Sequence, residues 1–510
     1  MPKFKLDGES LSLSDFIEIT RHYSEVELAE EAVVKVDKAR ELVDRYVAED
    51  RVEYGITTGF GEFSKVIISK DDAVELQQNL IFSHACGVGD PLPEDIVRGV
   101  MLLRINALSK GYSGIRMSTI QQLIDMLNLG IHPVIPEKGS LGSSGDLAPL
   151  AHMVLVMMGE GEAFFKGERI SGAKALKLAN LEPIHLTSKE GLALINGTQV
   201  MTSVGAHTLY DAISLYKTAN ISLALTMEAL NGITDAYEPM THIIRRQEGQ
   251  IKSAAAVLKI LEGSKMTSRQ SEIRVQDAYS IRCAPQVHGA CHDNFSYVKE
   301  KIELEMNAVT DNPIILVDED RVISGGNFHG EPLAQVFDYM KIGIAEIANI
   351  SERRLERLVN PALSGGLPAF LIERGGLNSG FMIVQYAAAA LVSENKVLAH
   401  PASVDSIPSS ANQEDHVSMG TIAARQAREM LYNASKVVAL EILCACQAID
   451  LRGKKKLGKG SEIVYEIVRE KVDFYDKDRI MNIDMEKVIE LVDSGIIHKE
   501  VEKITGDLFL

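Results

Sequence analysis

No apolar run in this sequence reaches the roughly 20 residues that a membrane-spanning helix needs. The nearest candidate, FMIVQYAAAALV, is shorter and contains Gln385, so we expect no membrane partner. The first residues, MPKFKLDGESLSLSDF, contain no apolar segment of the kind that a secretory signal has. We therefore expect a cytoplasmic protein.

Cysteine is scarce as well. The chain has five cysteines, an odd number, and none of them forms a Cys-x-x-Cys pair, which is typical of reduced thiols in a cytosolic protein. The 13 histidines include no His-Glu-x-x-His or His-x-x-Glu-His motif, and those are spacings that hold catalytic zinc. We therefore predict no metal site.

Positive charge is in deficit. The chain has 53 Lys and Arg against 71 Asp and Glu, which gives a formal net charge of −18 over 510 residues. Binding to nucleic acid depends on neutralising phosphates with Lys and Arg, so this balance argues against a nucleic-acid partner. The composition is otherwise 46% hydrophobic and 24% charged, as in a globular protein with a large core.

Long helical patterns dominate the second half of the chain. Apolar residues recur at steps of three and four over residues 333–358, which predicts one face of a long helix. Residues 204–230, 379–400 and 414–451 are also long, rich in alanine and free of proline. Such lengths indicate an elongated helix bundle.

Strand patterns are few and short. Residues 162–172 predict a β-hairpin that turns near Lys166-Gly167, and residues 313–325 predict a second that turns at Asp318-Glu-Asp320. We therefore predict a mainly α protein with a few short β-hairpins. Its predicted parts are residues 1–200, which carry the Gly/Ser-rich segment described next, a central long-helix bundle over 201–452, and C-terminal helices over 453–510.

The segment PEKGSLGSSGDLAPLAHM contains three serines and three glycines between Gly139 and Gly145, followed directly by Asp146. A Gly/Ser cluster between periodic segments typically forms a loop. The segment is not a nucleophile elbow, because it lacks Gly-x-Ser-x-Gly. It is not a phosphate-binding loop either, because neither of the usual glycine spacings is present.

Several other segments are too polar to be simple connections between helices. One at a time, they have ordinary explanations: a lone tyrosine packs in the core, a single Arg or Glu lies on the surface, and Asn-Pro forms a turn. Glu414 would fall in the first turn of the predicted helix, where an acid complements the helix dipole. Gln276, Tyr279 and Arg282 have a spacing that predicts one helical face. The segments are YGITTGFGEF (54–63), LIFSHACGVGDPL (80–92), LINGTQ (194–199), VQDAYSIRCAPQVHGA (275–290), TDNP (310–313), SGGNFHGEP (324–332) and SSANQEDHVSM (409–419).

Together these segments resemble, in order and spacing, the aromatic amino-acid ammonia-lyases, and most closely the histidine-specific members. The resemblance covers about residues 5–500. It implies the long-helix bundle of the fumarase/aspartase-like superfamily, a homotetramer whose active sites are shared between subunits, and no external cofactor.

Members of this family make their own electrophile, a methylideneimidazolone (MIO), from an Ala-Ser-Gly tripeptide. By resemblance, the Gly145 nitrogen attacks the Ser143 carbonyl, and loss of water turns Ser144 into an exocyclic methylidene. Glycine in third place has no Cβ to obstruct the compressed backbone. Ser143 departs from the usual alanine, and we expect this to be tolerated because the first residue contributes only backbone to the ring. Asp146 matches the family's acid that assists the cyclisation.

The resemblance also implies roles for the polar segments. Tyr54 is the expected base for the β-proton, a role that requires a lowered pKa, and Tyr279 and Asn196 flank the electrophile and help proton movement. Arg282 is expected to bind the substrate carboxylate bidentately. The remaining assignments are Gln276 and Asn312, which fix the neighbours of Arg282, and Phe328, which packs on the electrophile or the substrate.

Side-chain choice is expected to depend on His84 and Glu414. A charged acid suits an imidazole and suits a phenyl ring badly, because the acid would be left unpaired. Phenylalanine-specific relatives typically have an apolar residue in place of His84 and NQD in place of NQED, whereas tyrosine-specific relatives share the histidine. Glu414 therefore favours L-histidine as substrate, with trans-urocanate and ammonia as products. A tyrosine ammonia-lyase or an MIO-dependent aminomutase stays open, since aminomutases also vary at the position of Ser143.

Overall fold

The computed structural model describes residues 3–53, 55–56, 58 and 73–509, and all structural statements refer to these. Most of the described chain is helical and the strands are short, which confirms the mainly α prediction. The α-helices are α1 (Leu13–Arg21), α2 (Glu30–Ala48), α3 (Ala73–His84), α4 (Glu94–Ser109), α5 (Met117–Leu129), α6 (Leu147–Met157), α7 (Gly172–Leu178), α8 (Glu190–Ile195), α9 (Gln199–Ala229), α10 (Pro239–Ile243), α11 (Glu248–Ile260), α12 (Tyr279–Arg282), α13 (Ala284–Met306), α14 (Glu331–Val359), α15 (Met382–Leu398), α16 (Gly420–Leu451), α17 (Lys459–Lys471), α18 (Met481–Asp493) and α19 (Ile496–Thr505). The strands are β1 (Phe4–Leu6), β2 (Val26–Leu28), β3 (Val88–Pro91), β4 (Ile131–Pro133), β5 (Pro136–Lys138), β6 (Glu162–Phe165), β7 (Glu168–Ser171), β8 (Ile314–Leu316) and β9 (Arg321–Ile323).

The chain divides into two compact units, and all the named strands belong to the first. The predicted division into three consecutive parts at residues 200 and 452 stays a prediction. The first unit comprises Met1–His207, Lys299–Asp338 and Pro401–Arg425, and the second comprises Thr208–Val298, Tyr339–His400 and Gln426–Leu510.

Helix α4 of the first unit is buried on every side from Ile96 to Ser109. A helix buried all round must satisfy any charge that it carries. Arg98 does so by donating to the main-chain carbonyls of Ile19, Thr20 and Leu127. Burial lowers the pKa of this guanidinium to about 10.

Both predicted hairpins are confirmed. Strands β6 and β7 pair antiparallel around Lys166 (φ 53°) and Gly167 (φ 80°), the left-handed pair that matches the twist of a two-residue hairpin. Strands β8 and β9 pair antiparallel across a short 3₁₀ turn, Val317–Glu319. A third strand, β4, also pairs with β6, which the short and weakly patterned sequence of β4 did not predict.

The helix predicted over residues 333–358 is confirmed as α14, and helices also occupy the other three proline-free segments. One boundary is wrong: the last long helix, α16, begins at Gly420 and not at 414. The preceding residues make long-range contacts instead, since Met419 N donates to Leu141 O (2.8 Å) and Ser418 Oγ donates to Gly142 O (2.8 Å). Met419 itself has a φ of 56°, which a continuing helix does not allow.

The second unit has its own buried polar centre. Arg354 and Glu441 are fully buried and paired through two nitrogen–oxygen contacts of 2.5 and 2.8 Å. His288 lies beside them, and its burial together with the Arg354 charge holds its pKa well below the ordinary value. A buried pair of this kind is costly to break, because one unpaired charge would remain. Among the described helices, none is both long and apolar enough to cross a membrane.

Candidate active site

The Gly/Ser-rich segment lies between β5 and α6 and is closely packed. Gly142 and Gly145 have φ angles of 65° and 71°, in the left-handed region that favours glycine. The main chain of Gly145 lies directly against Gly197, so that a Cβ on Gly145 would come within 2.2 Å of the Gly197 oxygen. Asp146 N donates to the same oxygen at 2.7 Å. This position therefore accepts glycine alone.

Asp146 follows the segment and is fully buried. Its Oδ1 accepts from Ser140 Oγ (2.7 Å) and Thr421 Oγ1 (2.5 Å). Its Oδ2 accepts from the main-chain nitrogens of Val200 and Met201, both at 2.9 Å. Those two nitrogens belong to the first turn of α9, where a helix has no acceptors of its own. Asp146 therefore joins the Gly/Ser-rich segment to the start of α9 and the start of α16.

Burial sets the acid–base state of this carboxyl group. It raises the pKa of Asp146, although the four donors oppose the shift. Burial also raises the pKa of Glu305, and the charge of Asp146 adds to that shift. Glu305 accepts from Thr198 Oγ1 at 2.5 Å. Because two nearby buried carboxyls resist a double negative charge, this part of the site can hold a proton.

Glu414 lies over the two central serines. Its Oε2 accepts from Ser143 Oγ (2.5 Å) and Ser409 Oγ (3.2 Å), and its Oε1 accepts from Ser144 Oγ (3.1 Å). One expectation is therefore wrong: Glu414 is not a first-turn helix acid, because it pairs with Ser409 in a loop six residues before α16. Ser143 also donates a side-chain hydrogen bond, while the expectation that it contributes only backbone to the ring stays a prediction.

His84 is the last residue of α3 and is partly buried. Its Nδ1 lies 3.0 Å from Ser83 Oγ, which also donates to the carbonyl of Leu80. Burial lowers the pKa of His84, while the charge of Glu414 opposes the shift. Burial thus favours the neutral imidazole, and the charge of Glu414 favours the protonated one.

The two predicted asparagines, Asn196 and Asn312, are buried and in contact. Asn196 Nδ2 donates to the main-chain oxygen of Asn312 at 3.2 Å. Within the described residues, nothing donates to Asn196 Oδ1, although this oxygen is buried. Buried Arg104 donates to the Asn196 carbonyl (3.3 Å), and buried Lys189 donates to Asn312 O (3.5 Å) and to Asp311 Oδ2 (2.9 Å). Asn196 Oδ1 is thus a buried, unsatisfied acceptor on a residue held by several hydrogen bonds, and it could accept a hydrogen bond from a ligand.

The loop that carries Phe328 contacts the Gly/Ser-rich segment through Gly330, whose nitrogen donates to Gly142 O at 3.1 Å. Phe328 itself is partly buried. The next residue, His329, stacks on His416 with ring centroids 5.8 Å apart and an angle of 4° between the ring planes. The loop thus bonds to the Gly/Ser-rich segment two residues after Phe328.

Gln276, Tyr279 and Arg282 belong to the second unit. The predicted helical face is wrong for Gln276, because α12 covers only Tyr279–Arg282 and Gln276 precedes it. Tyr279 is 71% exposed within the chain. The Arg282 guanidinium lies 4.5 Å from the centre of the Tyr279 ring, and its Nε donates to Asp277 O at 2.9 Å. Tyr54, the predicted base, lies outside the described residues.

Several residues of the site were missed by sequence reasoning. Ser140 is the first serine of the Gly/Ser cluster, so its position in that cluster could have suggested it. Thr421, Arg104 and Lys189 carry no local signal, because their partners are more than 80 residues away. Ser409 lies only five residues before its partner Glu414 in SSANQEDHVSM, so that segment could have suggested it. Among the described residues, no group of three or more His, Cys, Asp or Glu is placed to hold a metal ion.

Comparisons with known proteins agree on one family. A family model for aromatic amino acid lyases matches residues 11–470. The chain is 61% identical over 503 residues to a histidine ammonia-lyase of Alkaliphilus oremlandii, with 99% of each chain covered. Among solved structures it resembles a histidine ammonia-lyase from Trypanosoma cruzi (42% identity, TM-score 0.92, 99% and 96% covered) and a tyrosine aminomutase from Streptomyces globisporus (37% identity, TM-score 0.95, 99% of each covered). This chain therefore belongs to the aromatic amino acid lyase family.

Proposed function

We propose that this chain is a histidine ammonia-lyase, which converts L-histidine to trans-urocanate and ammonia. The observation that carries the proposal is the position of the Glu414 carboxylate, which accepts hydrogen bonds from both Ser143 and Ser144. A carboxylate beside the reacting residues pairs with an imidazole N–H, whereas a phenyl ring would leave it unpaired. Relatives named histidine ammonia-lyase, 55–61% identical over nearly the whole chain, support the same substrate.

The catalytic electrophile is proposed to be an MIO group made from Ser143, Ser144 and Gly145. When formed, this group supplies an electrophile that bonds the substrate amine and makes it a better leaving group. The residues fit the ring, since Gly145 lies in a left-handed conformation in a space that a Cβ would fill. Asp146 is proposed to move the protons that ring closure requires, and its raised pKa supports that role.

Proton transfer from the substrate is proposed to use the chain's own hydroxyls and amides. Tyr54 is the proposed base for the β-proton. Asn196 is proposed to accept a hydrogen bond through its unsatisfied Oδ1, and Tyr279 is proposed to act with it in proton movement. The fixed geometry of Asn196 supports its role, because Arg104 and Asn312 both hold it.

The substrate carboxylate is proposed to bind Arg282. In the described chain the guanidinium uses its Nε on Asp277 O, so its terminal nitrogens can form a bidentate pair with a carboxylate. Gln276 and Asn312 are proposed to orient the neighbours of Arg282, and Phe328 is proposed to pack against the substrate or the electrophile.

Oligomeric state and location are proposed from the family. The high exposure of Tyr279 within one chain supports a homotetramer whose subunits complete one another's sites. A cytoplasmic location agrees with the five free thiols.

The test is incubation of the purified protein with L-histidine, L-tyrosine and L-phenylalanine in separate reactions. Release of ammonia and the ultraviolet absorbance of the unsaturated acid measure elimination. We expect turnover of histidine alone. The second candidate is an aminomutase or a tyrosine ammonia-lyase, which the likeness to a tyrosine aminomutase and the serine at position 143 favour. It predicts turnover of tyrosine, with a β-amino acid product in the case of an aminomutase.

A further inference from the structure

The two oxygens of Glu414 have different donors. Oε2 accepts from Ser143 Oγ at 2.5 Å and from Ser409 Oγ at 3.2 Å. Within the described residues, Oε1 accepts from Ser144 Oγ alone, at 3.1 Å. The donors to Oε2 lie on two separate segments, so that this oxygen is held from two sides.

Formation of the ring changes only one of these donors. A bond forms between Gly145 N and the Ser143 carbonyl carbon, and the Ser143 carbonyl oxygen leaves as water with the two amide hydrogens. The Ser144 hydroxyl then leaves as a second water with its α-hydrogen. The hydroxyls of Ser143 and Ser409 take no part in either loss. Glu414 Oε1 therefore loses its donor, while Oε2 keeps both.

We propose that Ser143 is a positioning residue that sets specificity for an imidazole side chain. Its hydroxyl holds Oε2 of Glu414, so that ring closure leaves Oε1 as the free acceptor for an imidazole N–H. This inference rests on the proposed function, since it needs histidine as the substrate. It adds a side-chain role at position 143 to the expectation that this residue contributes only backbone to the ring.

The loop around Glu414 explains why a hydroxyl is needed there. Ser410, Ala411 and Asn412 all have left-handed φ angles between 51° and 66°, and the main chain of Glu414 pairs only with Ser409 at this turn. No helix fixes the direction of the Glu414 side chain, so its rotamer depends on the hydroxyls that it meets. With alanine at position 143, Oε2 would keep only the longer hydrogen bond from Ser409.

The main experiment compares Ser143→Ala with the wild type. A hydrogen bond to a charged group contributes enough that its loss corresponds to roughly a tenfold change or more. We expect kcat/KM for L-histidine to fall about tenfold, mainly through KM. The intact mass should still show the loss of two waters, because alanine supplies the same backbone. Ser214→Ala is the matched control, since the Ser214 hydroxyl bonds a carbonyl of its own helix, and it should behave as the wild type. An unchanged KM and kcat/KM in Ser143→Ala would overturn the inference.

A second measurement does not depend on the finished electrophile. Ser144→Ala removes the hydroxyl that leaves in the second water loss, so the exocyclic methylidene cannot form and activity should be lost with helical content intact. In that background, adding Ser143→Ala should weaken binding of urocanate, measured by calorimetry, and leave binding of cinnamate unchanged. Equal weakening of both ligands, or of neither, would refute a role acting through Glu414. A wild type inert toward histidine would instead refute the proposed function itself.

Discussion

Replacement of Asp146 tests the link between the Gly/Ser-rich segment and the start of α9. Asp146→Ala leaves the main-chain nitrogens of Val200 and Met201 without their acceptor. The two hydroxyls on the other oxygen can pair with each other, since Thr421 Oγ1 already lies 3.1 Å from Ser140 Oγ. The variant therefore leaves two buried groups unsatisfied, the main-chain nitrogens of Val200 and Met201. At about 1–3 kcal/mol for each unsatisfied buried group, the free energy of unfolding should fall by about 2–6 kcal/mol.

Asp146→Asn separates stability from chemistry. Its amide oxygen can still accept from both nitrogens, and its NH₂ group can donate to the hydroxyls, which are free to rotate. It loses the attraction between a negative charge and the helix N-terminus, about 0.5–2 kcal/mol, but it no longer buries an ion. We therefore expect a change in unfolding free energy within about 2 kcal/mol, together with slow or absent ring closure, because an amide cannot exchange the proton that the cyclisation needs.

Urea unfolding followed by circular dichroism measures the stability of both variants, and intact mass over time after synthesis measures ring closure. Asp125→Ala is the matched control, because that half-buried carboxylate takes one solvent-exposed hydrogen bond from Gln121, one turn earlier in α5. It should change stability by no more than about 0.5 kcal/mol. If Asp146→Ala were as stable as this control, the hydrogen-bond reasoning would be refuted. If Asp146→Asn lost its two waters at the wild-type rate, Asp146 would not be the acid of ring closure.

Two further predictions use other parts of the site. Gly145→Ala should abolish the two-water mass loss and lower Tm, because its Cβ would meet the Gly197 oxygen at 2.2 Å. The control is Gly167→Ala, at a position with a similar φ of 80° and open space around it; it should lower the free energy of unfolding by about 1 kcal/mol and leave the mass loss intact. Equal effects of the two variants would contradict the steric argument. The imidazole of His84 should titrate below its ordinary pKa because it is buried, as followed by NMR of histidine-labelled protein with a His84→Gln variant for assignment. Because the Glu414 charge opposes that shift, Glu414→Gln should lower the midpoint further, and an upward movement would show that the charge does not act on His84.

Local patterns predicted the helices and hairpins well, for reasons that are visible in the structure. The apolar repeat of residues 333–358 covers nearly all of α14, because one face of that helix meets the core. Lys166-Gly167 formed the predicted turn, because a left-handed pair suits a two-residue hairpin. The start of α16 was misplaced, since its upstream residues bond to Leu141 and Gly142 on a segment far away in the chain.

In the candidate site too, local sequence features could be predicted and long-range contacts could not. Motifs with unusual composition, such as the Gly/Ser cluster, could be found by eye, and resemblance suggested their roles. Thr421 could not be found, because an isolated hydroxyl residue is common and only the fold brings it to a carboxylate. The Ser143 hydroxyl was dismissed for a different reason: the chemistry of the ring needs only its backbone, whereas its partner, Glu414, lies 271 positions along the chain.

The contact between Asp146 and Thr421 spans 275 positions, and this has a consequence for the order of events during synthesis. The carboxyl group reaches its final surroundings only after residue 421 has been translated and has docked. A nascent or truncated chain that stops short of that residue holds Asp146 without one of its hydroxyl partners. The proposed ring closure would then report on assembly, since the acid proposed to assist it meets all its partners only after distant segments have docked.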